Sequence, residues 1–412
     1  MNILVLNAGS SSLKMSLYAM DGPCPLSEPE TVLAVGEIER IGGAGTALTI
    51  TLSTNEQIRR TVDAHDVAEA AAQILSLLLA PGSDGQTLRV DAVGHRIVHG
   101  GSDFVHPVRI TIEVLRRLRE NVTLAPLHMP GCIAGVEVGQ RLLSNAPAVA
   151  VFDTAFHRDL PHVSRDYALP RDLAHAHHLR RYGFHGISYA FVTERALTAL
   201  GREAAGTRLI LCHLGGGASV CAVQDGKSVD TSMGFTPLEG LVMGTRAGDI
   251  DAGLVLYLMR TLHKSADDVE ALLNKDSGLL GLSGGRSSDV RDLEAAADAG
   301  DAAAREALKS FAYRVRKYIG AYAAAMGGVD ALIFTDKIGA HAFRTRVRIC
   351  AGLEFLGLGL DVERNGDING PDPVLIGTGD ERRVWVVPTD EERQIARETF
   401  FLLQSPAAES VT

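Results

Sequence analysis

Paired cysteines, excess basic charge and long apolar runs are all missing from this 412-residue chain. The five cysteines (Cys24, Cys132, Cys212, Cys221, Cys350) are odd in number, widely spread and form no CxxC pair. Neither a disulfide frame nor a zinc knuckle is expected, and the thiols read as reduced and buried. Lysine and arginine number 40 against 50 aspartates and glutamates, a net charge of −10. That balance excludes nucleic-acid binding through bulk charge, and no nucleic-acid partner is expected. Apolar stretches such as 74–80, interrupted by Ser76, are far below membrane-spanning length, so no membrane partner is expected either. The opening MNILVLNAGSSSLK lacks a basic segment and a long apolar core; it does not read as a signal peptide, and a cytoplasmic location is expected. Also absent are GxxxxGK[ST], a GxGxxG opening a helix after a strand, and a GxSxG elbow between a strand and a helix. P-loop, dinucleotide-fingerprint and nucleophile-elbow chemistries are thereby set aside.

The composition that remains, 46% hydrophobic and 22% charged, is that of a globular chain long enough for two or three domains. Short apolar runs at 3–6, 90–93, 148–152, 209–212 and 331–334 predict buried strands. Segments 66–79, 130–143, 188–200, 292–299 and 302–326 predict helices. Their alternation predicts α/β layers. ILVLNAGSSSLKMSLY (3–18) and LILCHLGGGASVCAV (209–223) share one plan, strand, small-residue turn, strand, half a chain apart. This suggests a duplicated domain, each copy opening with a hairpin whose turn can approach a ligand. Without a long linker, the halves are expected to pack directly, with a cleft between them.

Several groups could carry chemistry. The turn after the first strand offers Asn7, Ser10 and Ser12, followed by Lys14; Gly215, Gly216 and Gly217 form a second turn, and 281–289 a third. Each is either a tight turn or an anion cradle made of successive backbone N–H groups. Arg96 and Arg246 stand among glycines and small residues. Each is either half of a structural ion pair or a guanidinium aimed at carboxylate or phosphoryl oxygens. His128 lies between two prolines and His185 beside glycines, where an imidazole either holds a loop or donates to developing charge. His175, His177 and His178 read as solvated, and His95, His99 and His213 as structural or supporting. Asp153 ends an apolar strand, facing the expected cleft. Glu391 either caps the last helix or contributes to a magnesium site.

Nine stretches together resemble the acetokinase family over almost the whole chain: NAGSSSLK (7–14), GHRIVHGG (94–101), APLH (125–128), FDTAFH (152–157), RYGFHGIS (181–188), HLGGGAS (213–219), MGFTPLEGLVMGTRAGDID (233–251), SGLLGLSG (277–284) and PTDEE (388–392). The resemblance implies an α/β, duplicated two-domain, actin-like and sugar-kinase (ribonuclease H-like) architecture around a central nucleotide cleft. It implies an N-terminal domain of 1–153 joined by a returning helix in 388–412, and a nucleotide-binding domain of 154–387. It implies a cytoplasmic homodimer that reversibly transfers a phosphoryl group from ATP to acetate, in line and with Mg2+ or Mn2+, giving acetyl phosphate and ADP. By the same resemblance Asn7 and Glu391 are metal-associated, and Asp153, His185, Arg246, Arg96 and His128 are catalytic. Nucleotide contacts are implied for Lys14, Ser10 and Ser12, for His213, Leu214, Gly215, Gly216 and Gly217, for Asp289, Val290 and Arg291, and for Lys337, Ile338, Gly339, Ala340 and His341. The physics agrees: acetate is already a nucleophile at neutral pH, so transfer needs chiefly alignment and charge neutralisation.

The chain departs from the family at four places. Where the family has FTGGIGEN it has FTDKIGAH (334–341), so Asp336 and Lys337 replace glycines. Gly216 replaces the asparagine of HLGNG, Met129 replaces an asparagine in APLHNP, and loop 283–288 is one residue longer. Two expectations follow for 334–341: a remodelled donor pocket, or an Asp336–Lys337 pair that leaves the cleft clear. The alternatives to an acetate kinase are a propionate or other short-chain carboxylate kinase, a kinase with a donor such as pyrophosphate, and a catalytically weak phosphate-binding protein on the same fold.

Overall fold

The structure, a computed structural model, describes residues 1–9, 12–22, 30–43, 46–81, 87–366, 368–379 and 383–405. Strand β1 (Asn2–Ala8, NILVLNA) is buried along nearly all its length, which is why it reads as one apolar run rather than as an alternation. It forms a hairpin with β2 (Ser12–Ala19), in which Asn7 faces Lys14. The sheet continues through β3 (Thr31–Glu39), β4 (Thr46–Leu52) and β5 (Gln57–Val62) on one side, and β6 (Ala92–Ile97), β7 (Val108–Arg109) and β8 (Ala148–Phe152) on the other. Its order is β5-β4-β3-β2-β1-β6-β8-β7, with β1, β6 and β8 parallel.

This sheet belongs to a unit made of Met1–Ala155 and Asp390–Thr412. Helix Val67–Leu78, capped by Asp66, whose carboxylate accepts from the Glu69 N–H at 2.9 Å, buries Ile74, Leu75 and Leu78 with Leu4, Leu6 and Met15. Helix Glu391–Gln404 crosses the sheet at Gly94, where a Cβ would lie 2.5 Å from Thr399 Oγ1. Glu30 anchors that helix, ion-paired with both Arg393 and Arg397 and buried with them.

A second unit, Phe156–Thr389, repeats the plan. Its strands are β9 (Arg208–Leu214), β10 (Ala218–Gln224), β11 (Lys227–Thr231), β12 (Ala331–Thr335), β13 (Val374–Leu375) and β14 (Val384–Val386). The order β11-β10-β9-β12-β14 reproduces β3-β2-β1-β6-β8, with β9, β12 and β14 parallel. The duplication expected from the two hairpins is therefore present in both sheets, and the fold is the α/β architecture expected.

The strand expected at 90–93 lies instead at Ala92–Ile97. Its ladder with β1 and β8 carries Gly94, His95 and Arg96 into the sheet, past the point where the apolar run stops. Helix Ala252–Arg260 (AGLVLYLMR) has no buried residue, and Leu254, Leu256, Tyr257 and Met259 are exposed. Cys132, Cys212, Cys221 and Cys350 are free and buried, as expected; Cys24 lies outside the described residues. Among the described residues no helix is long and apolar enough to cross a membrane.

Candidate active site

Each unit assembles its own polar constellation at the carboxyl ends of its parallel strands. In the first, Arg96 on β6 reaches sideways to the strands on either side. Its Nε and Nη2 donate to Asp153 Oδ2 at 3.0 and 2.6 Å, and its Nη1 donates to Asn7 Oδ1 at 3.2 Å. The Asp153 side chain is 1% exposed and that of Arg96 16%. Burial opposes the charge on Arg96, but Asp153 and then Glu391 outweigh it and hold the guanidinium protonated. Asn7 carries the network onward, its Nδ2 donating to Glu391 Oε2 at 3.1 Å and Glu392 Oε1 at 2.8 Å. Burial raises the pKa of the Glu392 carboxyl, Lys14 lowers it, and Glu391 raises it again. Asn7, Arg96, Asp153 and Glu391 thus share one hydrogen-bonded network, with Lys14 paired across the hairpin from Asn7.

The remaining first-unit residues fall as follows. Asp390, not Glu391, caps the final helix, accepting from the Arg393 N–H at 2.9 Å. Glu391 is therefore the first helical residue, with its carboxylate turned to Asn7. His128 stands half-buried at the start of helix Met129–Leu142. Ser12 begins β2, and Ser10 lies outside the described residues. His95 is buried on β6, and burial pushes its pKa down to about 3, so it is neutral and structural.

In the second unit the constellation surrounds the turn between β9 and β10. His185 precedes helix Gly186–Leu200 with φ +58°, a left-handed conformation uncommon outside glycine. That backbone is held in place by His157, whose Nε2 lies 3.0 Å from Phe184 O and whose Nδ1 lies 2.7 Å from Ser228 Oγ. Burial lowers the His157 pKa to about 4 and keeps the ring neutral. The His185 ring stacks on His213 at 4.1 Å between centroids, and its Nδ1 is fixed by Ser219 Oγ at 2.8 Å. Its Nε2 lies on the Gly217 side, where a Cβ would be 3.4 Å from it and 3.6 Å from Arg246 Nη2. Both are ordinary van der Waals distances, so an imidazole and a guanidinium flank an open turn at Gly217. The other end of the Arg246 guanidinium donates to Pro237 O at 2.8 Å.

His213 extends the array in the opposite direction. Its Nδ1 lies 2.9 Å from Ser188 Oγ and its Nε2 3.4 Å from Asp336 Oδ2. The expected Asp336–Lys337 pair is not formed: among the described residues no ion pair joins them, because the Asp336 carboxylate turns to His213 while Lys337 is exposed. Residues Asp336–His341 form a short helix rather than an open glycine loop. The carbonyls of Gly339 and Ala340 accept from the buried Arg346 at 2.8 Å each. Asp289 caps helix Val290–Asp298 and pairs with the exposed Arg291 at 2.6 Å. Val290 and Leu214 are buried, so a ligand reaches only their backbone. The sequence reading assigned nothing to Glu392, His157, Ser219 and Ser188. Of these only Glu392 left a signal, the acidic run DEE.

A magnesium ion needs one or two carboxylates, the remainder of its shell being phosphate oxygens and water. Among the described residues no group of three or more His, Cys, Asp or Glu side chains is placed to hold a metal. Glu391 and Glu392 nevertheless converge on one amide, within 3.1 Å of Asn7 Nδ2, and supply hard oxygens of the right kind. The residues present fit such an ion. Asn7 turns its nitrogen toward them, so its own oxygen joins only by rotation of the amide.

The chain matches the Acetokinase family over residues 2–397. It is 46% identical to the acetate kinase of Bacillus subtilis (strain 168), covering 96% of this chain and 98% of that one. It is also 46% identical to the acetate kinase of Coprothermobacter proteolyticus, covering 98% and 99%. Among solved structures it is similar to Porphyromonas gingivalis acetate kinase, with a TM-score of 0.86 at 41% identity, covering 98% of this chain and 100% of that one. A propionate kinase from Francisella tularensis is similar at a TM-score of 0.87 and 36% identity, covering 97% and 99%.

Proposed function

The chain belongs to the acetokinase family, and from that premise we propose that it reversibly transfers a phosphoryl group between ATP and acetate, giving ADP and acetyl phosphate. The observation that carries this reading is the convergence of His185 Nε2 and Arg246 Nη2 on Gly217. Two donors beside a side-chain-free turn suit the equatorial oxygens of a phosphoryl group in transfer. His213 and the backbone of 214–217 cradle the donor's phosphates, and Asp289 and Arg291 contact the nucleoside. Arg96, held by Asp153, presents a fixed cation for the acetate carboxylate. His128 assists from the first unit, and Lys14 contacts phosphate. Glu391, with Asn7 and Glu392, holds the divalent cation, which when bound offsets phosphate charge.

Acetate is preferred over propionate in this reading because the relatives at 46% identity are acetate kinases, whereas the propionate kinase stands at 36%. A second copy of the chain is the proposed partner for the apolar, unburied helix Ala252–Arg260. The cytoplasm is the proposed compartment, supported by four free, buried cysteines. The test is acyl-phosphate formation trapped with hydroxylamine, at fixed magnesium and carboxylate, with ATP, GTP and pyrophosphate compared as donors. We expect product with ATP, and more from acetate than from propionate. No product from folded protein with ATP and either acid would overturn the kinase reading.

A further inference from the structure

Asp336 follows β12 directly, with φ +61°, a left-handed conformation. Glycine adopts it freely, and aspartate is among the few other residues that tolerate it. An aspartate here therefore keeps the backbone path a glycine would give and adds one carboxylate. That carboxylate does not point away into solvent. Its Oδ2 lies 3.4 Å from His213 Nε2, and a Cβ on Gly215 would fall only 1.8 Å from it. Asp336 thus occupies the space that a side chain on Gly215 would take. The side chain is about a quarter exposed, at 26%, so the charge borders open space rather than the core.

The three-glycine turn is thus polarised. At Gly217 stand the Arg246 guanidinium and the His185 imidazole; at Gly215 stands an anion. A phosphate laid along the turn gains from one end and is repelled at the other. Like-charge juxtaposition across a binding surface is a common device for rejecting a wrong ligand. The repulsion grows with the net negative charge of the ligand, and a divalent cation on the phosphates reduces that charge.

We infer that Asp336 is a specificity-determining residue, which makes the second unit favour a nucleotide complexed with a divalent cation and reject the free nucleotide. The inference rests on the proposal that 213–217 cradle the donor's phosphates. The effect belongs to charge rather than bulk, so an uncharged side chain of the same size abolishes it.

The test is calorimetric binding of ADP to the full chain, once with excess magnesium and once with EDTA. Wild type is compared with Asp336→Asn and Asp336→Gly. Asparagine keeps the size and tolerates the left-handed backbone, and glycine removes the side chain altogether, so both variants are expected to fold. Both should bind metal-free ADP about tenfold tighter than wild type, with less than about threefold change for magnesium ADP. An unchanged ratio in Asp336→Asn would overturn the inference, as would weaker binding of both forms, which would make the carboxylate a contact instead of a barrier. If folded wild type binds neither form, the donor site itself is misassigned and this inference falls with it. If wild type binds and the ratios do not move, only the inference falls.

Discussion

Near the carboxyl end of β6, in the first unit, stands Arg96; directly after β12, which holds the same place in the second sheet, stands Asp336. Each reaches sideways to the first strand of its own sheet, Arg96 to Asn7 on β1 and Asp336 to His213 on β9. The scaffold therefore delivers a side chain to equivalent places, and the residue found there inverts the charge. The first unit's network runs from guanidinium to carboxylate and through an amide to two more carboxylates. The second unit's array sets imidazoles, hydroxyls and bare glycines between one cation, Arg246, and one anion, Asp336. One half locks its charges into a single network, and the other places them at opposite ends of an open turn.

The sharpest way to break this comparison is at Arg246, the cation beside the open turn. Arg246→Ala should lower kcat about a thousandfold, within the range seen when an arginine is removed from other phosphoryl-transfer sites, and change either KM by less than about threefold. Initial rates with each substrate varied in turn would show it, and near-normal turnover would remove Arg246 from the transition state.

Asp153→Asn should produce the largest stability effect, in the first unit. The carboxylate is 1% exposed and takes two bonds from Arg96, so removing its charge strands a buried guanidinium. Breaking one side of a buried pair costs about 3 kcal/mol, a lowering of the melting temperature by roughly 10 °C. Asp336→Asn in the second unit gives the contrast within the same melting experiment. Its carboxylate is a quarter exposed, and its loss should shift stability by less than about 1 kcal/mol. Equal shifts in the two variants would mean that the two places are not energetically different.

Much of this contrast was legible in the sequence. The duplication showed because both hairpins are buried strands joined by small residues, and burial on both faces leaves an unmistakable apolar run. The extent of β6 did not show, since His95 and Arg96 look like a loop until pairing with β1 and β8 carries them inward. Strand β5 (QIRRTV) was silent because its residues are mostly exposed and polar. In the site, Asp153 was visible as a polar group ending an apolar run, and Arg96 as an arginine among small residues with an ion pair as one expected role. Glu392 was passed over beside Glu391 because an acidic run does not say which of its members turn inward. His157 was invisible as a support because its partners, Phe184 and Ser228, are distant in sequence and meet it only through the fold.

The finest distinction between the two turns concerns Gly216. The resemblance implies an asparagine there, but this turn has no side chain at all between His213 and Ala218 except Leu214, which is buried. A Cβ at Gly216 would meet nothing within 4 Å, and its backbone is not left-handed, so the structure does not require glycine. Gly216→Asn should therefore leave stability within about 0.5 kcal/mol, the loss of unfolded-state freedom working slightly in its favour. The added amide can donate to a phosphate oxygen, and the KM for ATP should fall roughly two- to threefold at unchanged kcat, the scale of one modest hydrogen bond. A lower kcat would mean that the open space at 216 is itself needed, for movement or for a water. An unchanged KM would place the amide out of reach of the phosphates, leaving His185 and Arg246 at Gly217 as the donors that matter.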